Sequence, residues 1–416
     1  MGRLRGFAVV AALGVLVLVG GCAQAGARDG VGAPQTASSE TTGVVYAKVI
    51  DSTEGTAPAL TYREYKVPGW GSLEGYGERL ATISYSPQVQ GDPTRLRVLD
   101  FKTGKSREIV SEGVAFKDGF DILDVWSSDE WVAWEELKGN EQAARYEVQW
   151  KLYVAKLDAE TLTCGKPVLV DESEVSMHSR PIFRFDGDVL YWMTNSTPNP
   201  RQEGTVHGAI VKARDLNTGT VRTIRETAKH FATMSVGDGN VIVAEEGAKS
   251  YRTTIRVIDP ATSQDTWSLD LINEDMVTHF PQVHDGSIAW TAYTHDTISY
   301  PDLHYRGQDG VTHFVRKGTQ NPMHVGKYLF FGGIHIVSRG INMKRNLNII
   351  GGYDPATNTT FTVIDGEDDV SWHMQMGVGY REDSFVVSAD LAPDAPDPEA
   401  AAKAPMLIRK YTLSES

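Results

Sequence analysis

The chain has little cysteine and lacks the short motifs that mark the commonest enzyme classes. Its 416 residues include two Cys, Cys22 and Cys164. Because Cys22 is assigned below to a lipid, no internal disulfide can form and the fold depends on packing alone. The sequence has no Gly-x-Ser-x-Gly elbow, Walker loop, His-Glu-x-x-His or Cys-x-x-Cys. These absences exclude the strongest enzyme classes and leave enzymes that assemble a site from scattered loops.

Positive charge is also scarce. The chain carries 40 Lys and Arg against 54 Asp and Glu, a formal net charge of −14 at pH 7. A surface of this sign repels phosphate backbones and anionic headgroups, so we exclude nucleic acid as a partner. It is compatible with cationic partners, metal ions or neutral glycans.

Long apolar runs are absent except at the N-terminus. Arg3 and Arg5 precede an apolar run, Phe7 to Val19, that is too short to span a membrane comfortably and has no stop signal after it. The next residues, Val19-Gly-Gly-Cys22, resemble a bacterial lipobox, in which a peptidase cleaves before a Cys that carries diacylglycerol. We therefore predict a lipoprotein signal peptide over residues 1–21, lipid (including palmitate) on Cys22, and an extracytoplasmic protein anchored to the bacterial cell membrane. The alternative is an ordinary secretory signal with an incidental Cys.

Two further regions follow the signal peptide. Residues 22–58 are rich in Ala, Gly, Ser, Thr and Asp, a composition typical of a flexible tether. Residues 59–416 form the predicted folded domain.

A strand–turn–strand unit recurs through the folded domain. Its turn carries an Asp followed three residues later by a Thr, and a degenerate copy lies at Asp309. The five regular copies are Asp100/Thr103, Asp158/Thr161, Asp215/Thr218, Asp259/Thr262 and Asp354/Thr357. A second hairpin with an Asp-Gly or similar turn precedes these units, as in Phe185–Trp192 and Val283–Trp290. Helical apolar periodicity of useful length is missing.

Two hairpins per repeat give four antiparallel strands, which is one propeller blade, and the repeat length of about fifty residues fits this unit. We predict an all-β, seven-bladed β-propeller. Counts of six or eight blades and a pair of β-sandwich domains are the alternatives. The last repeat is one strand short, whereas the strand Leu60–Lys66 has no partner. Pairing Leu60–Lys66 with Met406–Thr412 would close the ring and remove exposed sheet edges.

One stretch carries a resemblance to a known family. Trp126-Ser-Ser-Asp-Glu-Trp-Val-Ala-Trp134 resembles the repeat of TolB-like (WD40-like) β-propellers, in which an aromatic residue, a Ser-Pro-Asp-Gly turn and an apolar strand recur in each blade. Here Ser128 stands in place of the Pro and Glu130 in place of the Gly. The resemblance implies a propeller that binds peptides, proteins or small ligands. Because the superfamily contains both binding proteins and enzymes, the fold does not assign the function.

Histidines supply the candidate site. Five of them fall just before or at the start of a repeat's first strand, which a propeller would place near its central axis: His178, His230, His279, His324 and His373. Converging imidazoles could bind a divalent metal or an anion, or act as general acid and base. Trp372 is the candidate aromatic platform for a ligand. The alternative is that these His residues bond backbone groups of neighbouring blades, and their irregular spacing from the turns supports it.

The sequence favours a binding role over catalysis. We predict a monomeric, membrane-anchored binding or scaffold module for a protein, peptide or glycan of the cell envelope, with no assigned catalytic residue and no cofactor. The alternative is a lyase or hydrolase acting on small cyclic or glycan substrates, with a metal held among His230, His279, His324 and His373. The sequence identifies neither the ligand nor the metal.

Overall fold

A computed structural model gives the fold of the chain. The structure describes residues 44–45, 50–69, 71–85, 92–138, 149–173, 180–195, 208–246, 252–272, 276–294, 301–336, 346–364, 370–374, 381–391 and 405–414. These residues form strands, turns and one short 3₁₀ turn, Phe116–Asp118. None of the ranges above contains a helix long and apolar enough to cross a membrane.

Four strands precede the repeats: β1 (Val44–Val45), β2 (Ile50–Asp51), β3 (Thr53–Glu54) and β4 (Leu60–Val67). The first three blades then follow in chain order. Blade one has β5 (Ser72–Tyr76), β6 (Leu80–Tyr85), β7 (Arg95–Asp100) and β8 (Ser106–Val110). Blade two has β9 (Asp121–Ser127), β10 (Trp131–Lys138), β11 (Gln149–Asp158), β12 (Thr163–Cys164) and β13 (Val168–Ser173). Blade three has β14 (Ile182–Asp186), β15 (Val189–Asn195), β16 (Ala209–Asp215) and β17 (Val221–Thr227).

The remaining four blades repeat this order. Blade four has β18 (His230–Gly237), β19 (Asn240–Glu246), β20 (Arg252–Asp259) and β21 (Gln264–Ile272). Blade five has β22 (Met276–His284), β23 (Ser287–Thr294), β24 (Asp302–Arg306) and β25 (Thr312–Lys317). Blade six has β26 (Thr319–Val325), β27 (Tyr328–Ile336), β28 (Asn346–Asp354) and β29 (Thr359–Ile364). Blade seven has β30 (Val370–Met374), β31 (Ser384–Leu391) and β32 (Met406–Leu413), and β4 completes it.

The described residues thus form seven sheets, and the predicted seven-bladed propeller is confirmed. The first strand of most blades contacts the first strand of the next blade, so these strands form the inner wall of the ring. The alternative counts of six and eight blades and the pair of sandwiches do not apply. The apolar clusters bridge blades: Leu96 and Val98 of blade one pack with Val132 and Trp134 of blade two. Burial of each such side chain stabilises the fold by about 1.5–3 kcal/mol.

The Asp-x-x-Thr turns have the geometry that the sequence predicts. The Oδ1 atom of Asp215 accepts hydrogen bonds from the backbone N–H groups of Asn217 and Thr218, at 3.0 and 2.8 Å. Gly219 follows with φ of 76°, a left-handed conformation that glycine adopts without strain. The turn chemistry therefore positions the hairpin of β16 and β17.

Ring closure is as predicted. β4 pairs antiparallel with β32, and Tyr62 lies opposite Tyr411 while Tyr65 lies opposite Ile408. The Tyr65 hydroxyl also donates a 2.7 Å hydrogen bond to the carbonyl of Phe101 in blade one. The N-terminal strand therefore completes blade seven and connects it to blade one.

The segment before β4 contacts the rim of the ring. β1, β2 and β3 pair in parallel with β21, β25 and β29, the outer strands of blades four, five and six. Ser52 adds a hydrogen bond of 2.7 Å from its hydroxyl to the carbonyl of Val315. We call β1, β2 and β3 together the N-terminal strap. It occupies part of the region that the sequence predicts as a tether.

Candidate functional site

The inner wall of the ring is interrupted by β-bulges at similar positions in several blades. The pairing of first and second strands shifts register in blades one, two, four, five and six. In blade one the extra residue is Glu74, and in blade two it is Leu123, directly before Asp124. A bulge re-aims side chains, and bulges are over-represented beside active sites. This level of the axial wall is therefore the candidate site.

Two bulges contain residues with positive φ. Phe280 of blade five has φ of 49°, and Asn321 of blade six has φ of 53°. A bulky residue such as Phe is strained in this region, at a cost of order 1–3 kcal/mol, and such strain concentrates at functional sites. The amide of Asn321 donates to the carbonyl of Met374 at 3.2 Å and so joins blade six to blade seven.

Charged side chains from blades one to three meet at this level. We name this group the axial charge cluster, with five members: Glu74, Asp124, Glu135, Arg180 and Arg184. Glu74 lies on β5, Asp124 on β9 and Glu135 opposite it on β10. Arg180 immediately precedes blade three, and Arg184 lies on β14.

Arg180 is shared by two carboxylates. Its Nε lies 3.2 and 3.0 Å from the two oxygens of Glu135, and its Nη2 lies 2.9 Å from one of them. The same Nη2 donates to Asp124. Glu135 is fully buried, and burial raises its pKa to about 7 although the Arg180 charge opposes the rise. A buried carboxyl with this pKa can hold or release a proton near neutral pH.

Glu74 is the second carboxyl with a pKa near neutral. Burial raises its pKa to about 7, the hydroxyl of Ser84 opposes this by donating to it, and the nearby charge of Asp124 raises it further. Asp124 keeps more than half of its side chain exposed. Neighbouring inner strands thus present one half-buried and one largely solvated carboxyl group, an arrangement typical of acid–base pairs.

Arg184 completes the cluster. Its guanidinium carbon lies 3.8 Å from the centroid of the Trp126 ring, and its Nη1 donates to the carbonyl of Phe183 at 2.7 Å. Burial lowers the pKa of Arg184 to about 10, and the Asp124 charge acts against this change. The cluster therefore contains three carboxyl groups and two guanidinium groups.

Glu136, the neighbour of Glu135, has a different environment. Its carboxylate accepts hydrogen bonds from the backbone N–H groups of Val114 and Ala115 at 2.6 and 2.7 Å, and from the indole of Trp134 at 2.8 Å. These hydrogen bonds hold the segment between β8 and β9 against blade two. Glu136 thus has a structural role and stays outside the cluster.

Two of the predicted histidines lie near one another. His230 begins β18, and His279 lies on β22 directly before the strained Phe280. Burial lowers the pKa of His279 to about 4, and the nearby His230 lowers it further. His279 is therefore neutral at physiological pH.

His324 lies elsewhere. It comes after the blade-six bulge, close to the turn between β26 and β27, because β26 begins at Thr319. Its ring lies 5.5 Å from that of His284 and 6.3 Å from that of Tyr305, and burial lowers its pKa to about 3. The structure therefore places His324 apart from His230 and His279, at the end of the wall near the turns.

The other predicted residues have varied positions. His178 and Cys22 lie outside the described residues. His373 pairs in register with Ser388 on β31, and its side chain is outside the description. Trp372 is buried, and the Arg409 guanidinium lies 4.2 Å from its ring centroid, so the indole is packed rather than open to a ligand.

The described side chains contain no group of three or more His, Cys, Asp or Glu placed to hold a metal ion. The predicted metal among four histidines therefore stays a prediction. The axial charge cluster was not predicted from the sequence. A signal for part of it exists, because Glu135 and Glu136 interrupt the otherwise apolar strand that starts at Trp131.

Neither a protein-family model nor a curated protein sequence matches the chain. Among solved structures, an oligogalacturonate lyase in complex with manganese aligns with a TM-score of 0.48 and 12% identity, over 88% of this chain and 99% of its own. An oligogalacturonate lyase from Vibrio parahaemolyticus aligns with a TM-score of 0.47 and 10% identity, over 88% and 99%. The β-propeller domain of the Trilobed protease from Pyrococcus furiosus aligns with a TM-score of 0.39 and 12% identity, over 65% of this chain and 77% of its own. These likenesses concern the propeller fold and carry no conclusion about the chemistry of this chain.

Proposed function

We propose that this chain is a lipid-anchored, extracytoplasmic propeller of the TolB-like type that binds a neutral glycan at the axial charge cluster. The lipid anchor rests on the lipobox-like sequence that ends at Cys22. The binding role rests on the geometry of the inner wall at blades one to three.

One observation carries the proposal: Arg180 is shared by Glu135 and Asp124, with Glu74 close by, on neighbouring blades. A structural ion pair needs one carboxylate for each guanidinium, and here carboxyl groups are in excess. Carboxylates accept hydrogen bonds from hydroxyl groups, and the Arg180 fork donates them. The hydroxyl groups of a neutral sugar both donate and accept hydrogen bonds, so such a sugar fits this wall. An anion fits less well, because the carboxyl groups would repel it.

Binding can be tested with the purified mature protein on an array of neutral oligosaccharides. We expect retention of at least one glycan, and we expect Asp124→Asn and Glu74→Gln to weaken this binding by about tenfold, since each removes a charged acceptor. Glu112→Gln, an exposed change in the connection before blade two, is the matched control. Equal retention by all four proteins, or no retained glycan at all, would contradict the proposal.

A second candidate function is catalysis by the same cluster, as a hydrolase of the glycan. The observation that favours it is the pair of carboxyl groups at Glu74 and Glu135 with pKa values of about 7, because enzymes tune catalytic carboxyl groups to this range. Glu74 would act as the proton donor or acceptor.

The two candidates differ in a simple assay. Release of new reducing ends from the retained glycan would indicate hydrolysis. In that case Glu74→Gln should lower the rate by roughly a hundredfold or more while the glycan is still retained. Retention without turnover by the wild-type protein would support binding alone.

A further inference from the structure

A groove crosses the seam at which blade seven meets blade one. Its volume is about 470 Å³, within the range of small-molecule sites. We name it the seam groove and define it by six of its lining residues: Tyr62, Arg63, Arg79, Phe101, Lys102 and Lys410. It lies away from the axial charge cluster, between the closing strand β4 and the turns of blade one.

Two cations lie side by side on the blade-seven wall of the groove. Arg63 on β4 is the direct cross-strand partner of Lys410 on β32, so both side chains emerge on the same face of the sheet. Like charges placed directly opposite one another destabilise a sheet. The repulsion is unexpected in a chain with a net charge of −14, and a bound anion would relieve it.

Carboxylates of the protein neutralise only part of this charge. Glu78 lies 3.5 Å from the Lys410 ammonium but also forms an ion pair with Arg381 at 2.9 Å. On the blade-one wall, Arg79 is held by Asp100 at 3.2 Å and by a second carboxylate. Glu78 is thus shared between two cations, and Arg79 is already matched.

Arg63 and Lys102 are the cations without a carboxylate. Arg63 donates to the carbonyl oxygens of Phe101 and Lys102 at 3.2 and 3.4 Å, and its guanidinium carbon lies 5.2 Å from the Tyr65 ring centroid. Within the described part of the chain, neither Arg63 nor the exposed Lys102 forms an ion pair. One cation without a carboxylate partner stands on each wall of the groove, because Arg63 belongs to blade seven and Lys102 to blade one.

We propose that the seam groove binds a small, multiply charged anion that carries phosphate or carboxylate groups. Arg63, with Lys410 beside it, contacts the anion from blade seven, and Lys102 contacts it from blade one. Guanidinium and ammonium groups donate charge-assisted hydrogen bonds to both kinds of oxyanion.

The test is isothermal titration of the mature protein with two probes, tripolyphosphate and citrate, and with glycerol as the uncharged control. We expect saturable binding of at least one anion, weakened by added salt, and no binding of glycerol. The stronger of the two anions identifies phosphate or carboxylate as the recognised group. Absence of saturable binding by both anions would overturn the proposal.

Variants locate the site. Arg63→Gln and Lys102→Gln should each weaken anion binding by about tenfold, the effect of losing one charge-assisted contact. Arg63→Lys keeps the charge and should retain most of the affinity. Lys105→Gln, an exposed change on the same blade-one turn, is the matched control and should bind as the wild type does.

Two further controls test whether the variants fold and whether the axial charge cluster contributes to anion binding. Because Lys102 is exposed, Lys102→Gln should keep the wild-type melting temperature in buffer but lose the increase that the anion gives the wild type. Asp124→Asn should leave anion binding unchanged, so failure of the glycan proposal does not affect this one. Equal anion affinity in Lys102→Gln, Arg63→Gln and the wild type would contradict the assignment to this groove.

Discussion

At Glu74, burial and the neighbouring Asp124 charge act in the same direction and raise the pKa to about 7. A glutamate in the unfolded chain titrates near about 4.3. Between these two values the folded protein keeps a proton that the unfolded chain releases. The resulting stabilisation is complete below the unfolded pKa and is lost as the pH rises through about 7.

Glu74→Gln tests this linkage, because Gln resembles the protonated acid and does not titrate. Between about pH 5 and pH 8 we expect the wild type to lose about 2 kcal/mol more unfolding free energy than the variant, a value reduced for the partial exposure of Glu74. Urea denaturation at several pH values measures it.

The exposed change Glu112→Gln serves as the control for this pH series and should follow the wild-type curve. Parallel curves for the wild type and Glu74→Gln would show that the Glu74 carboxyl titrates as it does in water.

Arg180 offers a second test at the level of single residues. Arg180→Gln leaves the fully buried Glu135 carboxyl without its guanidinium partner, and we expect a loss of about 3 kcal/mol of unfolding free energy at pH 8. The double change Arg180→Gln/Glu135→Gln removes the unpaired, titratable carboxyl and should recover a large part of the loss. Urea denaturation of both variants measures this, and an equal loss in the double variant would rule out the unpaired carboxyl as the cause.

Single residues were hard to predict from the sequence because pairing across blades decides their environment. Glu74 is an isolated acid in an apolar strand, and only the bulge and the approach of blade two make it a group that titrates near neutral pH. His324 differs from its predicted position. The sequence places it at the start of a first strand, but β26 already begins at Thr319. His324 therefore lies beyond the bulge, near the end of that strand.

Among the elements, the turn between β9 and β10 has the clearest role. Asp129, in the stretch Trp126–Trp134, accepts hydrogen bonds from three backbone N–H groups of the blade-one turn: those of Glu78 and Arg79, both at 2.8 Å, and that of Leu80 at 2.7 Å. The turn of one blade is therefore fixed by a side chain of the next.

Asp129→Ala removes all three acceptor contacts and leaves the turn to water. We expect a loss of about 2 kcal/mol of unfolding free energy, because hydrogen bonds to a charged acceptor are stronger than average. Asp129→Asn keeps one acceptor oxygen and should lose less. Chemical denaturation measures both, and an unchanged Asp129→Ala protein would show that the blade contact is not stabilising.

Hairpins were the part of the fold that local sequence could predict. The Asp-x-x-Thr turns depend on side-chain bonds within a few residues, as at Asp215, so the sequence alone indicates them. Bulges depend on the register between two strands and on the positive φ of residues such as Phe280, which no local pattern marks. The pairing of the N-terminal strap with three outer strands was likewise beyond prediction, because the strap strands have only two residues each.

At the scale of the whole molecule, the count of strands predicted the closure of the ring correctly. The last blade lacks one strand, and the strand at the start of the folded domain lacks a partner. Pairing the two closes the ring and leaves no exposed sheet edge. The function follows far less directly, because seven blades offer many loops and strands on which a site can be built.

Cys22 provides the prediction at this scale. In a bacterial host that processes lipoproteins, the full-length chain should partition into the membrane fraction and incorporate labelled palmitate. Cys22→Ser should lose the label and remain as the larger, uncleaved precursor, because cleavage at a lipobox requires the lipidated Cys. Cys164→Ser, the matched control, should behave as the wild type, and palmitate on Cys22→Ser would exclude this attachment site.

The N-terminal strap has a consequence for how the molecule would stand on a bilayer. The chain reaches the ring at Val44, on the outer edge of blade four, 22 residues after Cys22. Even fully extended, that length spans no more than about 75 Å. A lipidated protein would therefore be attached to the bilayer through the outer edge of blade four and not through the axial wall.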